Sequence, residues 1–304
     1  MVVRRKNPVN LITLIIFVIL NAAGLFRAEL TAFLGVSDYA FYIILNVVCF
    51  VVPVIFLVIF NRREIRPGAY LKLKGFRLRH LPVSVSAAIA ATLFCLLLNA
   101  AFTAIFRLPP EDGFKTSIGT LGFEGFVSVA FAVVLLPSIL EEFYFRGAYQ
   151  SQFSERPRID VIVASALCFT MLHGSWRNLI TPFVCSIVYA FLVYMTGSIW
   201  SAVVAHVVNN AIAVTAALYA DVLTTSELKW VIYVAFLLVF FIFLYLTLRF
   251  FEKYYNKSKK KRRPTLKQSR RDRKNAASPF SPAFFVLAVL FIAKTVFEIT
   301  GFWK

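Results

Sequence analysis

The chain has 304 residues, of which 60% are hydrophobic, and its formal net charge is +18. Soluble domains are about 45–50% apolar, so this composition excludes an ordinary soluble protein and predicts an all-α, polytopic transmembrane helix bundle. The positive charge does not indicate a nucleic-acid partner, because twelve of the 33 Lys and Arg fall between Lys253 and Lys274 and most of the others flank apolar runs. That distribution is typical of cytoplasmic loops at an anionic membrane surface.

Apolar runs predict the order of the helices. They cover 8–26, 39–60, 81–106, 122–150, 161–173, 179–195, 199–220, 230–251 and 280–303. The first run follows the basic triplet Arg4, Arg5 and Lys6, but it is long and lacks an Ala-x-Ala site, so it is predicted to be an uncleaved helix rather than a signal peptide. The pattern predicts eight or nine spans with the N-terminus in the cytoplasm, because the heavily basic loops then lie on the inner side.

Four regions are expected along the chain. Two N-terminal helices and a basic cytoplasmic loop occupy 1–80, and the core of the bundle occupies 81–251. The segment 252–278 is rich in Lys and Arg and has no apolar period, which predicts a disordered cytoplasmic linker whose partner is anionic lipid. A last transmembrane helix occupies 279–304.

Two adjacent carboxylates, Glu141 and Glu142, lie near the end of the fourth run, and Arg146 follows them. Ionised groups in an apolar span are costly and are usually kept for function. If the segment is α-helical, Glu142 and Arg146 form an i, i+4 pair, whereas Glu141 is rotated by about 100° and faces elsewhere. Glu141 is then the acid that is available as a general base, although a simple ion pair at a helix end remains an alternative.

Two of the three histidines lie inside later apolar runs. His173 ends the fifth run, four residues after Phe169, and His206 precedes Asn210 by four residues, which places both on one helical face. The fifth run, 161–173, is short for a crossing, and a short or interrupted span often lines a cavity. A single histidine of this kind usually forms a helix–helix hydrogen bond, but two histidines, an Asn and a free Glu in consecutive spans indicate a site.

The strings Glu-Glu-x-x-x-Arg, Phe-x-x-x-His and His-x-x-x-Asn, in this order and in successive spans, resemble the three motifs of the CAAX-protease and bacteriocin-processing (CPBP, or Abi) family. The resemblance covers about residues 81–221. It implies an intramembrane endopeptidase, a hydrolase whose substrate is a membrane-embedded or prenylated peptide or protein. It also implies a multi-pass protein of a bacterial cell membrane.

The resemblance also implies a role for each motif residue. Glu141 corresponds to the acid that activates water, and His173 to the residue that helps to hold and deprotonate that water. His206 and Asn210 correspond to the pair that polarises the scissile carbonyl and stabilises its oxyanion. Glu142 and Arg146 correspond to a structural pair.

The resemblance leaves the cofactor open, since proteins of this kind are also called metalloproteases. A glutamate mechanism without a metal or cofactor is expected, and the alternative is a divalent zinc held by Glu141, His173 and His206. His-Glu-x-x-His, Gly-x-Ser-x-Gly and a Cys beside a base are absent from the sequence, which argues against other protease types. The four cysteines lie in apolar runs without CxxC spacing and predict neither disulfides nor a thiol nucleophile.

Two functions of other classes are alternatives. A non-catalytic membrane scaffold, or a bacteriocin immunity or regulatory protein, could retain the same pocket and would tolerate loss of Glu141. A transporter also keeps ionisable residues at midplane, but it commonly has paired repeats, which this sequence lacks.

The last run carries Lys294 and Glu298, whose spacing predicts an i, i+4 ion pair. The expected place of this pair is the membrane interface near Trp303, and a position that lines the helix bundle is the alternative. Because no proposed catalytic group lies in 253–304, removal of that segment is expected to leave the three motifs assembled.

Overall fold

The computed structural model describes residues 7–61, 66–75, 77–106, 123–153, 158–177, 179–261 and 277–300. These residues form helices and short connections, with no strand among them, which confirms the all-α prediction. The helices are α1 (Val9–Leu25), α2 (Arg27–Leu34), α3 (Asp38–Asn61), α4 (Pro67–Tyr70), α5 (Leu81–Phe106), α6 (123–149), α7 (Arg158–Leu172), α8 (Ile180–Thr196), α9 (Trp200–Leu218), α10 (Ala220–Thr224), α11 (Lys229–Lys261) and α12 (Pro282–Thr300).

Within the described residues, six helices are long and apolar enough to cross a membrane, and a seventh span results if α1 and α2, which meet at 82°, count as one broken span. The two helices α7 and α8 are apolar but shorter, with 15 and 17 residues. A polytopic membrane bundle is therefore confirmed, whereas the predicted eight or nine spans would require these short helices to cross as well. The cytoplasmic position of the N-terminus stays a prediction.

Several of the predicted connections contain helix. The segment after α1, expected to be a loop, forms α2. This helix ends at Gly35, which adopts the left-handed conformation that glycine commonly has at the C-terminus of a helix. The helix α11 continues to Lys261, so residues 252–261 of the predicted disordered linker are helical. The remainder of that linker falls largely on 262–276, which lie outside the described residues.

The helix α6 carries the Glu-Glu-x-x-x-Arg motif and is not a regular α-helix. Residues Ala130–Leu135 and Phe143–Tyr149 form π-helical segments on either side of the α-helical segment Leu136–Glu142. A π segment bonds i to i+5 and is frequent at functional sites. The α-helical spacing argument therefore does not apply unchanged between Glu142 and Arg146, because residues 143–146 have π geometry.

The chain divides into two compact units built from segments that are distant in sequence, so they cross the predicted region boundaries. The first unit contains the described residues of Met1–Leu73, Phe143–Ile187 and Lys261–Lys304. In this unit α12 packs on α1 and α7. Asn10 of α1 donates hydrogen bonds to Pro279 O (2.7 Å) and to Ser281 Oγ (2.8 Å), which anchors the start of α12.

The second unit contains the described residues of Lys74–Glu142 and Val188–Lys260. Its core is the pair α5 and α9, which pack closely along faces of small side chains. The buried small residues of the two helices are Ser84, Ser86, Ala87, Ala88, Ala90, Ala91, Ser201, Ala202 and Ala205. Small residues allow helix backbones to approach each other in a membrane, where van der Waals packing replaces the hydrophobic effect as the driving force.

Candidate active site

His206 and Glu142 form the central contact of the second unit. The Nδ1 atom of His206 lies 2.9 Å from Oε1 of Glu142. Both side chains are buried, and Glu142 is 0% exposed. The carboxylate can only accept, so Nδ1 is assigned as the protonated nitrogen that donates to Glu142. The tautomer of His206 is thereby assigned, with the proton on Nδ1 and the lone pair on Nε2.

Glu141 approaches the same ring from its other nitrogen. Its Oε2 atom lies 3.9 Å from Nε2 of His206, and its side chain is 12% exposed. Among the described residues, Oε2 of Glu141 has no hydrogen-bond partner although it is buried. A buried carboxylate oxygen without a partner is costly, and such costs are typical of functional positions.

The two adjacent acids therefore flank one imidazole. The sequence argument, in which Glu141 faces elsewhere, did not predict this arrangement. Tyr189 of α8 stacks on the His206 ring, with 4.9 Å between the ring centroids and 24° between the planes. Stacking and the Glu142 hydrogen bond together hold the orientation of the ring, as pre-organised catalytic groups require.

Asn210 lies one turn after His206 on α9, as the motif spacing predicts. Its Nδ2 donates to Oγ of Ser138 (3.2 Å), and its Oδ1 accepts from Nδ2 of Asn209 (3.3 Å). The chain continues to Thr92 of α5, whose hydroxyl donates to Oδ1 of Asn209 (2.8 Å). These bonds fix which end of the Asn210 amide is the donor, and one of its two N–H groups remains for another acceptor.

Arg146 lies in the first unit and is 0% exposed. Its Nη2 donates to the backbone oxygen (2.9 Å) and to the hydroxyl (2.7 Å) of Ser186. Its guanidinium carbon lies 4.9 Å from the centre of the Phe169 ring, a cation–π distance. The predicted ion pair between Glu142 and Arg146 stays a prediction.

His173 is in the first unit and directly follows α7. Its side chain is exposed, its Nδ1 lies 2.8 Å from the backbone oxygen of Phe169, and its ring contacts the Phe169 ring at 4.5 Å. A carbonyl oxygen only accepts, so Nδ1 is assigned the proton and Nε2 is the basic nitrogen of the neutral ring. The Phe of the Phe-x-x-x-His motif thus supports His173 with its carbonyl and Arg146 with its ring.

Lys72 stabilises the π segment that carries Arg146. Its Nζ donates to the backbone oxygen of Arg146 (2.6 Å) and to Oε1 of Gln150 (3.4 Å). Its backbone has φ of 55°, a conformation uncommon for residues other than glycine. The sequence interpretation treated this residue as part of a plain basic loop, yet the adjoining Tyr70 and Leu71 are buried.

The zinc alternative would require about three protein ligands. Within the part of the chain that the structure describes, no three His, Cys, Asp or Glu side chains are grouped to hold a metal ion. The second unit offers His206 Nε2 and Glu141 Oε2, while His206 Nδ1 is occupied by Glu142. The choice between a metal-free site and a zinc site stays a prediction.

Sequence reasoning missed several residues of these networks: Thr92, Ser138, Tyr189, Asn209 and Lys72. Ser138 and Asn209 carried a usable signal, since each is a polar residue inside an apolar span next to a motif. Thr92 and Tyr189 carried no such signal, because Thr and Tyr are common in membrane spans. The contacts of these two residues depend on which helices are neighbours in the fold.

Comparison with known families gives one match, and it covers the motif region. Residues 123–212 match the family described as type II CAAX prenyl endopeptidase Rce1-like. No curated protein and no solved structure matches the chain. The matched segment contains Glu141, Glu142, Arg146, His173, His206 and Asn210. The resemblance to the CPBP family is thus confirmed, and the chain is a multi-pass integral membrane protein that carries an Rce1-like domain of the membrane endopeptidase kind.

Proposed function

We propose that the chain is an intramembrane endopeptidase that hydrolyses a peptide bond of a membrane-embedded or prenylated substrate without a metal. The single observation that supports this most is Oε2 of Glu141, a buried oxygen without a hydrogen-bond partner among the described residues, 3.9 Å from His206 Nε2. A structural acid would be expected to have its bonds satisfied within the fold, whereas a catalytic base has to keep an oxygen for water.

In the proposed reaction, the Glu141 carboxylate takes a proton from water while the water oxygen forms a bond to the scissile carbonyl carbon. The family assigns His173 to the same water, and its Nε2 is the nitrogen that can accept. The C–N bond then breaks, and the proton held by Glu141 passes to the leaving nitrogen.

The developing oxyanion needs hydrogen-bond donors that are already in place. Asn210 supplies an N–H that Ser138 and Asn209 orient. His206 supplies a second donor when its Nε2 is protonated, and the Glu142 carboxylate on Nδ1 stabilises that cationic ring. Loss of one such donor typically costs about 10²–10³ in kcat.

The test compares membrane peptides from cells carrying the wild type with those from cells carrying Glu141→Gln. New C-terminal or leader fragments that appear only with the wild type support the endopeptidase and identify its substrate. A phenotype that persists with Glu141→Gln, together with identical peptide sets, would instead favour the non-catalytic scaffold or immunity function.

Ser138→Ala tests the orientation of Asn210. Ser138 is 0% exposed and accepts from Asn210 Nδ2, so its loss leaves that N–H without its acceptor. We expect a loss of about 1 kcal/mol in the free energy of unfolding, at the low end for a lost hydrogen bond because Asn210 is only half-buried, and a lower kcat. Thermal unfolding and cleavage rates measure both effects.

Ser84→Ala is the matched control for this prediction. Ser84 is also a buried serine of the second unit, but its hydroxyl has no hydrogen-bond partner in the described part of the chain. Its replacement should leave stability and cleavage close to wild type. Equal effects of the two substitutions would contradict an orienting role for Ser138.

A further inference from the structure

The C-terminal helix α12 lies outside the matched segment, yet it contacts the residue that follows His173. The ammonium group of Lys294 donates a hydrogen bond to the backbone oxygen of Gly174. The Glu298 carboxylate lies 2.9 Å from the same ammonium group. The predicted Lys294–Glu298 pair is therefore confirmed, but its position is against the end of α7. Removal of 253–304 would consequently remove a contact with the residue that follows the Phe-x-x-x-His motif.

The turn that holds His173 has few restraints of its own. The amides of His173 and Gly174 donate to Thr170 O and Met171 O, both at 3.1 Å, which is one tightened turn at the end of α7. The His173 side chain is exposed. The His173 ring is also hydrogen-bonded to Phe169 O, but the backbone bonds of this turn are terminal ones, which fray easily. A donor from α12 on the Gly174 oxygen therefore adds a restraint on the turn.

The backbone conformation of Gly174 and its lack of a side chain both favour the contact with Lys294. Its φ is +68°, a conformation that favours glycine, and a Cβ built on it would lie 2.9 Å from Lys294 Nζ. A side chain at this position would therefore displace the ammonium group. The absence of a side chain and the left-handed backbone together allow Lys294 to reach the carbonyl.

A lysine–glutamate pair within an apolar span is costly, which suggests that it has a role beyond anchoring. The two side chains are only 26% and 28% exposed. The Glu298 charge compensates the ammonium charge, and the hydrogen bond to a carbonyl at a helix C-terminus is favourable because the helix dipole is negative there.

We propose that Lys294 is a positioning residue for His173, which acts by fixing the Gly174 carbonyl and so the turn that presents Nε2 of His173. The inference rests on the proposed function, in which His173 contacts the attacking water. Lys294 itself contacts neither water nor substrate in this assignment. Glu298 keeps the ammonium group in place, and the C-terminal helix is therefore part of the catalytic apparatus.

The test uses the purified full-length protein and two readouts. The first is the rate at which diethyl pyrocarbonate modifies His173, measured by mass spectrometry. The other two histidines, His80 and His206, are each 3% exposed, so His173 is the accessible one. Measuring this rate requires no substrate. It reports on the conformation of the turn at His173 whether or not the chain is a protease. The second readout is kcat and KM for the substrate found in the peptide comparison.

For Lys294→Met we expect a His173 modification rate that differs from wild type by about threefold or more, because a released turn loosens the hydrogen bond from Nδ1 to Phe169 O and so changes the reactivity of a ring that is already exposed. We expect kcat to fall by about tenfold or more with KM unchanged, because a misplacement of a catalytic group by about 1 Å can cost about 10²-fold in rate. Lys294→Arg should restore both values, and Lys253→Met, a change at an exposed lysine, should alter neither.

A modification rate for Lys294→Met equal to that of wild type would overturn the proposal, even if its thermal stability were lower. If Lys294→Met does not fold, Gly174→Ala serves as the second variant, since its Cβ displaces the ammonium from the other side. Wild-type His173 reactivity in a folded Gly174→Ala protein would overturn the proposal equally. Changed reactivity with no proteolysis in any variant would support the positioning role and reject the proposed function.

Discussion

Glu141→Gln should abolish proteolysis and leave the fold intact. The amide cannot take a proton from water, and loss of a general base typically costs about 10²–10⁴-fold in rate. The stability should change little, because Oε2 of Glu141 makes no hydrogen bond within the described residues that the substitution could break. Cleavage of the identified substrate by purified protein, together with thermal unfolding, measures both quantities.

Glu29→Gln is a suitable control, since it makes the same chemical change at an exposed glutamate of α2. It should retain wild-type cleavage. Residual activity of Glu141→Gln above about a tenth of wild type would refute the assignment, because even the weakest general-base effect exceeds that margin. A marked loss of thermal stability in Glu141→Gln would indicate that the acid is structural.

Much of the fold could be predicted because hydrophobic runs of membrane length leave few alternatives to helices. The run 81–106 coincides with α5, and the runs at 199–220 and 280–303 contain α9 and α12. The π segments of α6 could not be predicted, because an apolar run of this length has no periodicity that distinguishes π from α geometry. The helical extension to Lys261 was missed because a basic composition resembles that of a disordered segment.

The candidate site was predictable as a set of residues and not as a set of contacts. Motif spacing places His206 and Asn210 one helical turn apart, and this followed from the sequence. That Glu142 accepts from His206, and that Glu141 approaches the same ring, depends on how α6 packs on α9 and does not follow from helical spacing. The Glu142–Arg146 pair that the spacing predicts stays a prediction. The contact of Lys294 with Gly174 joins positions 120 residues apart and left no local signal.

Glu142→Ala should destabilise the protein more than any other single change considered above. Glu142 is 0% exposed and accepts a 2.9 Å hydrogen bond from Nδ1 of His206, which is itself 3% exposed. Alanine removes the carboxylate and leaves a buried imidazole N–H without this acceptor. Removing one partner of a buried charged pair costs about 3–5 kcal/mol, a large share of the roughly 5–15 kcal/mol that keeps a typical domain folded. Low yield and a lower unfolding temperature in detergent should therefore appear before any kinetic effect.

Glu142→Gln distinguishes the contribution of Glu142 to stability from its proposed contribution to catalysis. Its amide oxygen can still accept from His206 Nδ1, so the protein should fold with much of the lost stability restored. The neutral amide no longer stabilises a cationic ring, and the Nε2 donor proposed for the oxyanion is weakened, so kcat should fall while the unfolding temperature stays near wild type. A Glu142→Ala protein with wild-type unfolding temperature would show that the His206 contact contributes little to stability. A fully active Glu142→Gln protein would show that the charge on Glu142 is not needed for the proposed role of His206.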